Sequence, residues 1–559
     1  MIAPRHRRTT AAGPRWALLA ALLLLPLAAW PTAALVWHAA VPPAAAAAAP
    51  VVEALRDAST WQHVAFTSSQ ALASMVGALA IGLPVAYVVA RVGMPGRAVL
   101  RALAVVPLVL PGIAVALAFR EVLGPAGWLN EALRAVGARP VAAIGTPGAI
   151  VLAHICYGTA IVVALVAPRW ARLDTRQVEA ARLLGAGTVS VFRHVTLPAL
   201  TRPLLAAAVL AFGFAFTSFG VVLILGAPRT DTLEVAAYRL AISAPGLAAA
   251  AALTLLQLAA TLVLVLLLRS MTRVGAATVD APAGGGASSL PPTPPASTAG
   301  RAWHTLLALL ACAAVAGLVV VPLLALAVGA IEGAPAGWHY RALLDQGDGT
   351  PVAYGAAALW SLAIAAGAAA LATVAGAAAA FAVARSRGRR ARILDLALWL
   401  PLALPPVTLA VGLTLSLASE AGGLADSPWP LLFAHALIGY PFVLWVLLPR
   451  VRVMEQDVAD AATLLGASPW RVWRHVELPM AGRALLVGAT LAFVVSLGEL
   501  AAALLLARPA FTTLPVAAYE ALAADDAGTA LALAGLLAAV VVVAFMLVER
   551  LRDREAREC

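Results

Sequence analysis

Glu179-Ala-Ala-Arg-Leu-Leu-Gly185, followed by Arg193-His-Val-Thr-Leu-Pro198, returns 281 residues later as Asp460-Ala-Ala-Thr-Leu-Leu-Gly466 and Arg474-His-Val-Glu-Leu-Pro479. From Glu179 to Leu205, 15 of 27 positions match their partners at this constant offset. Both copies are polar islands between long apolar runs. A polar loop that repeats this closely, while the apolar runs around it have drifted, predicts two docking sites for one kind of soluble partner.

The apolar runs set the class. The chain has 559 residues, is 62% hydrophobic and only 12% charged, and has a mean hydropathy of +0.93. A chain of this size with so little polar material requires the bilayer as its solvent. Runs of about 20 residues cross the hydrocarbon as helices, and these are too long and uniform for barrel strands. Twelve spans are expected, near 16–38, 69–90, 102–119, 148–168, 204–227 and 246–268, then 303–330, 358–384, 393–417, 430–449, 484–506 and 528–548. The expected fold is therefore an all-α polytopic membrane protein of about 12 transmembrane helices.

Arginine gives the orientation. With the amino terminus in the cytoplasm and the spans alternating, inside segments hold 30 of the 38 basic residues. The positive-inside rule selects this topology, with both termini cytoplasmic. The formal charge of +11 is mostly a topology signal. Its arginines are spread over seven short loops, so no nucleic-acid partner is expected. Arg5 to Arg15 followed by Trp16–Trp30 has the outline of a signal peptide, but the apolar stretch continues to Val36 and reads as a first span. Three cysteines, Cys156, Cys312 and Cys559, make no disulfide framework and no metal cluster.

The sequence contains no lysine. A phosphate-cradling P-loop needs one, so any ATP hydrolysis must occur on a separate chain. No catalytic, cofactor-binding or metal-ligating residue is assigned.

Residues 271–300, with Gly284-Gly-Gly, Pro291-Pro and Pro294-Pro, break the apolar pattern as a flexible linker. The expected organisation is a first half over 1–268, a cytoplasmic linker over 269–302 and a second half over 303–559. Six spans per half give both halves one orientation, hence parallel six-helix repeats about an axis along the membrane normal. The internal match extends further. Pro107-Leu-Val-Leu-Pro111 corresponds to Pro401-Leu-Ala-Leu-Pro405, Ala86-Tyr87 to Ala380-Phe381, and Ala153-His154 to Ala434-His435.

Each part of the repeated loop has a physical reading. Glu179 and Asp460 are expected near a helix start, where a carboxylate complements the exposed amides. Ala180-Ala181 and Ala461-Ala462 leave a flat face for close approach. Gly185 and Gly466 permit a turn or a close backbone contact. Leu197-Pro198 and Leu478-Pro479 mark re-entry to the membrane, since proline cannot continue the donor ladder.

With this spacing the loop resembles the EAA loop of binding-protein-dependent ABC importer permeases, with Asp460 keeping the carboxylate in the second copy. The resemblance implies that residues 179–198 and 460–479 form coupling helices, each seated in a groove of an ABC ATPase subunit that carries ATP and magnesium. Two copies of that ATPase and a solute-binding protein are the implied partners. A single chain carrying both halves resembles the fused ferric-iron and thiamine permeases of the type I class, in the bacterial inner membrane. Phe216-Thr-Ser-Phe-Gly220, Leu223-Ile-Leu-Gly226 and Thr232-Leu-Glu-Val-Ala-Ala-Tyr238 look like the corresponding region of thiamine permeases. The resemblance therefore favours thiamine as the small-molecule cargo, with ferric iron as the alternative.

Glu499, in Ser496-Leu-Gly-Glu-Leu500, reads as an acidic residue inside a span, and Ser218 is its counterpart. An intramembrane carboxylate is costly and usually faces a cavity or a partner, so both are candidates for the translocation path. His154 and His435 read as packed residues. A twelve-span secondary transporter is the rival class, but the loops after the second and eighth spans lack its acidic signature, and the spans lack embedded charge pairs.

Overall fold

The computed structural model describes residues 15–41, 49–227, 230–243, 246–279, 298–331, 354–386, 388–417, 423–454 and 456–557. The principal helices of the first half are α1 (Arg15–Ala40), α2 (Ala58–Arg91), α3 (Gly112–Leu123), α4 (Pro147–Ala171), α5 (Thr175–Leu183), α6 (Leu197–Phe216), α7 (Leu233–Ala241) and α8 (Leu247–Val279). Those of the second are α9 (Thr298–Val315), α10 (Val321–Gly329), α11 (Tyr354–Arg385), α12 (Pro406–Leu417) and α13 (Trp429–Val453). They continue with α14 (Gln456–Leu464), α15 (Leu478–Leu497), α16 (Leu514–Ala523) and α17 (Ala527–Arg557). Among the described residues no strand occurs. Ten helices there are long and apolar enough to cross a bilayer, and one bent pair makes an eleventh. The 26-residue α1 occupies the place of the first expected span.

Small residues bring the helices together. The most extensive packing in each half joins α2 to α4 and α11 to α13. A Cβ at Gly82 would lie 2.7 Å from Val162 Cβ, and one at Gly376 would lie 2.6 Å from Val443 Cβ. These two sites are equivalent in the repeat. In lipid, where apolar burial gives no drive between helices, such close backbone approach is what makes van der Waals packing favourable.

The halves are interleaved. α1 packs on α11 and α12 of the second half, while α9 and α10 pack on α2 and α3 of the first. Gly412 in α12 admits the approach, since a Cβ there would lie 2.7 Å from the Pro31 carbonyl of α1.

Several expected boundaries change, each for a reason carried by proline. The third span is a short helix Arg97–Val105, a single 3-10 turn Val106–Leu108, and then α3. The ninth is broken likewise, with 93° between Ile393–Ala403 and Pro406–Leu417. Pro107, Pro111, Pro401 and Pro405 remove donors and clash with the preceding turn, so these spans break rather than curve.

The fifth and eleventh spans shift toward the repeated loops. They run over Val189–Phe216 and Trp470–Leu497, not over 204–227 and 484–506. Each contains a π turn, Phe192–Thr196 or Trp473–Glu477, in which the Leu197 N–H donates to Phe192 O and the Leu478 N–H to Trp473 O. The wider turn accommodates the proline that follows. Leu197-Pro198 and Leu478-Pro479 thus lie within continuous helices and do not mark where a helix begins. The residues just before them, from Val189 and Trp470, are the first part of the span itself.

α8 runs to Val279 and α9 starts at Thr298, so both ends of the stretch expected as linker (269–302) are helical. Residues 280–297, with the glycine and proline clusters, lie outside the described residues.

Candidate ATPase-coupling site

The two repeated loops fold alike down to single hydrogen bonds. α5 ends at Leu183 and α14 at Leu464. Gly185 and Gly466 follow, both at φ +84°. The Gly185 N–H donates to Arg182 O at 2.9 Å and the Ala186 N–H to Ala181 O at 3.0 Å. The Gly466 N–H donates to Thr463 O at 3.0 Å and the Ala467 N–H to Ala462 O at 3.1 Å. This pair of bonds is the Schellman ending, in which the left-handed residue satisfies the last carbonyls of a helix. A Cβ at either glycine would meet no atom within 4 Å. Of the two readings offered for these glycines, the turn is therefore the one this chain requires.

The turn presents a surface that no described residue covers. Leu183 and Leu184 are 88% and 89% exposed, and Leu464 and Leu465 also 88% and 89%. Ala180 and Ala461 are exposed, with Ala181 and Ala462 half-buried beside them. The leucines lie inside the repeated motif, but a sequence cannot distinguish a leucine on the buried face of a loop helix from one on its bare face.

Glu179 is exposed, in the second turn of α5. The helix starts at Thr175 and is capped by Asp174, whose carboxylate accepts the Arg176 N–H at 2.9 Å. Asp460 occupies the same fifth position of α14. Neither residue sits at a helix start as expected, and the dipole effect fades beyond the first turn.

Aromatic side chains join each loop to its bundle. Tyr87 packs on Trp170 with ring centroids 5.2 Å apart, and Trp170 on Phe192 of the π turn at 6.5 Å. In the second half Phe381, the equivalent of Tyr87, meets Trp473 of the π turn at 6.4 Å. The Tyr87 hydroxyl also lies 3.1 Å from His304 Nε2 on α9, so the first loop is tied to the opposite half. The second loop has its own anchor, a largely buried ion pair between Arg385 and Glu477.

The candidate path residues lie at helix interruptions. α6 ends at Phe216 and a short helix Gly220–Leu225 follows; α15 ends at Leu497 and Ala501–Leu506 follows. Ser218 and Glu499, both half-buried, occupy these gaps. Glu499 is thus not within a helix. Its carboxylate accepts the Ala502 N–H at 3.1 Å at the start of the next one. The gaps adjoin across the halves. A Cβ at Gly220 would lie 3.4 Å from Leu500 Cδ2, and one at Gly498 3.0 Å from Pro111 Cβ. His154 and His435 are packed residues, with Nδ1 3.0 Å from Gln70 Oε1 and 2.8 Å from Ser496 Oγ respectively.

The family comparison matches each half of this duplicated bundle. The model of the binding-protein-dependent transport system inner membrane component family covers residues 78–273 and again 372–557. The chain belongs to that family. It is a fused, multi-pass inner-membrane permease of the ABC importer class, with one family unit in each half. Among its relatives is the thiamine transport system permease protein ThiP of Escherichia coli strain K12, 27% identical over 525 residues, covering 90% of this chain and 91% of that protein. ThiP of Salmonella typhimurium strain LT2 is 27% identical over 513 residues, covering 90% and 91%. ThiP of Brucella suis biovar 1 is 28% identical over 499 residues, covering 87% and 88%. The permease and these relatives share their length as well as their repeat, so the fusion of two halves is common to them.

Proposed function

We propose that this permease carries thiamine inward, driven by two copies of a separate ATPase that dock on its two repeated loops. The thiamine assignment rests on similarity to thiamine permeases along nine-tenths of the chain. The docking assignment rests on the bare leucine pairs held identically on two Schellman turns. Glu179, Ala180, Ala181, Gly185, Leu197 and Pro198, with Asp460, Ala461, Ala462, Gly466, Leu478 and Pro479, form or carry these docking helices. ATP and magnesium bind to the partner ATPase, not to this chain.

In this reading both termini and both loops face the cytoplasm, as the arginine distribution requires. A solute-binding protein delivers thiamine at the outer face. Closure of the two ATPases on ATP draws the loops together, and the aromatic contacts at their bases pass the displacement to α2, α4 and α11. Ser218 and Glu499, at interruptions where the halves meet, lie along the route that opens. ATP shifts the equilibrium only through its different affinity for the two states.

Reconstitution into liposomes tests the reading. Thiamine uptake should require the permease, the ATPase, ATP and the thiamine-loaded receptor together. Uptake driven by a proton gradient without ATPase would refute it, and a receptor that binds ferric ion but not thiamine would redirect the cargo.

A further inference from the structure

Glu234 lies in α7, within the apolar stretch Leu233-Glu-Val-Ala-Ala-Tyr238, and is 1% exposed. Its Oε1 accepts the N–H of Val407, the second residue of α12 in the other half, at 3.2 Å. Its Oε2 is buried without a hydrogen-bond partner. So are the hydroxyls of Thr232, two residues before it, and Thr408, next to Val407. Among the described ion pairs none involves Glu234. α12 also packs on the short helix Ala501–Leu506, at whose start the Glu499 carboxylate accepts the Ala502 N–H. A buried carboxylate in this setting is tolerable only when protonated or when matched by a cation.

The repeat shows that the start of α7 does not need Glu234. Thr67 Oγ1 accepts the Leu233 N–H at 2.9 Å, and Ser361 Oγ accepts the equivalent Leu514 N–H at 2.6 Å. The two helix starts are therefore held alike. Yet Pro515 stands where the repeat would place a second Glu234. The carboxylate is an addition to one half, set at the seam between the halves, with one oxygen and two neighbouring hydroxyls left unused.

We propose that Glu234 and Glu499 together receive the cationic centre of the transported solute as it crosses the seam between the halves. The chemical class is an organic cation, and the inference rests on the importer reading above, since thiamine carries a permanently charged thiazolium. In the conformation described the site is closed, with Val407 and Thr408 both 0% exposed. Opening of the halves would expose the orphaned oxygens to the solute, whose charge then replaces a proton or a lost hydrogen bond.

The test uses the complete complex in liposomes, with thiamine as the probe. Glu234→Gln keeps an acceptor for the Val407 N–H and removes only the charge. Uptake should fall by about thirtyfold or more, the effect of removing one member of a buried charge pair, while receptor-stimulated ATP hydrolysis stays at the wild-type level. Glu499→Gln should also lower uptake, and Glu234→Asp should recover part of the uptake lost in Glu234→Gln. Unchanged uptake in Glu234→Gln, or a parallel loss of uptake and ATP hydrolysis, would overturn the assignment, because a structural role impairs both activities. A wild-type complex that hydrolyses ATP with its loaded receptor yet moves no thiamine would sink the cargo reading itself, and is told apart by the wild-type arm alone.

Discussion

Four leucines stand almost bare at the tips of two loops, and their chemistry outweighs that of the charged residues around them. Burying a leucine in a partner's groove contributes about 1.5–3 kcal/mol, whereas an exposed ion pair contributes about 0–1 kcal/mol. Leu184→Asp combined with Leu465→Asp should therefore leave the permease folded, since neither side chain packs within it. Each change should weaken ATPase binding by about tenfold or more, at 1.4 kcal/mol per factor of ten. Co-purification of the ATPase and thermal unfolding of the isolated permease measure the two effects separately; an unchanged ATPase yield would remove the leucines from the docking surface. The glycines beside them were legible in the sequence because a left-handed turn leaves glycine as its signature. The exposure of the leucines was not, because exposure depends on which face of a short helix the rest of the fold covers.

Helices in this protein are defined as much by their interruptions as by their apolar length. The third and ninth spans break at Pro107, Pro111, Pro401 and Pro405, but a bend and a complete break at proline have the same composition. The fifth and eleventh spans were displaced in the sequence reading because a π turn carries no pattern of its own; it appears only when a helix is traced through a proline. Glu499, expected within a span, lies in the gap after one for the same reason. The repeat also supplies an internal control on the restarted helices. Thr67→Ala and Ser361→Ala each leave a buried N–H, that of Leu233 or Leu514, without its acceptor, at a cost of about 1–3 kcal/mol. Each should lower the thermal unfolding midpoint of the permease in detergent by a similar amount. A large difference between the two would show that the equivalent bonds carry different weight in the two halves.

Interleaving of the first helices makes the two halves one body. α1 packs on α11 and α12 as well as on α8 of its own half, and α9 and α10 pack on α2 and α3, so non-covalent packing joins the halves alongside the covalent link. Expressed as two polypeptides divided between Gly286 and Ala287, the halves should co-purify and retain ATPase-dependent uptake; halves that separate in detergent would show that the link is needed. Hydropathy and the duplicated loop were enough to read a two-fold repeat of membrane helices, each half carrying one copy of the same polar motif. Those are properties of local composition, and the bilayer and helix periodicity leave few ways to satisfy them. Folding was needed to bring Glu234 beside Val407, to set the gaps at Ser218 and Glu499 against each other, and to send α1 across to the second half. These placements join residues far apart in the chain through side-chain packing, and packing in lipid turns on the close fit of small residues such as Gly82, Gly376 and Gly412, which composition alone does not pair.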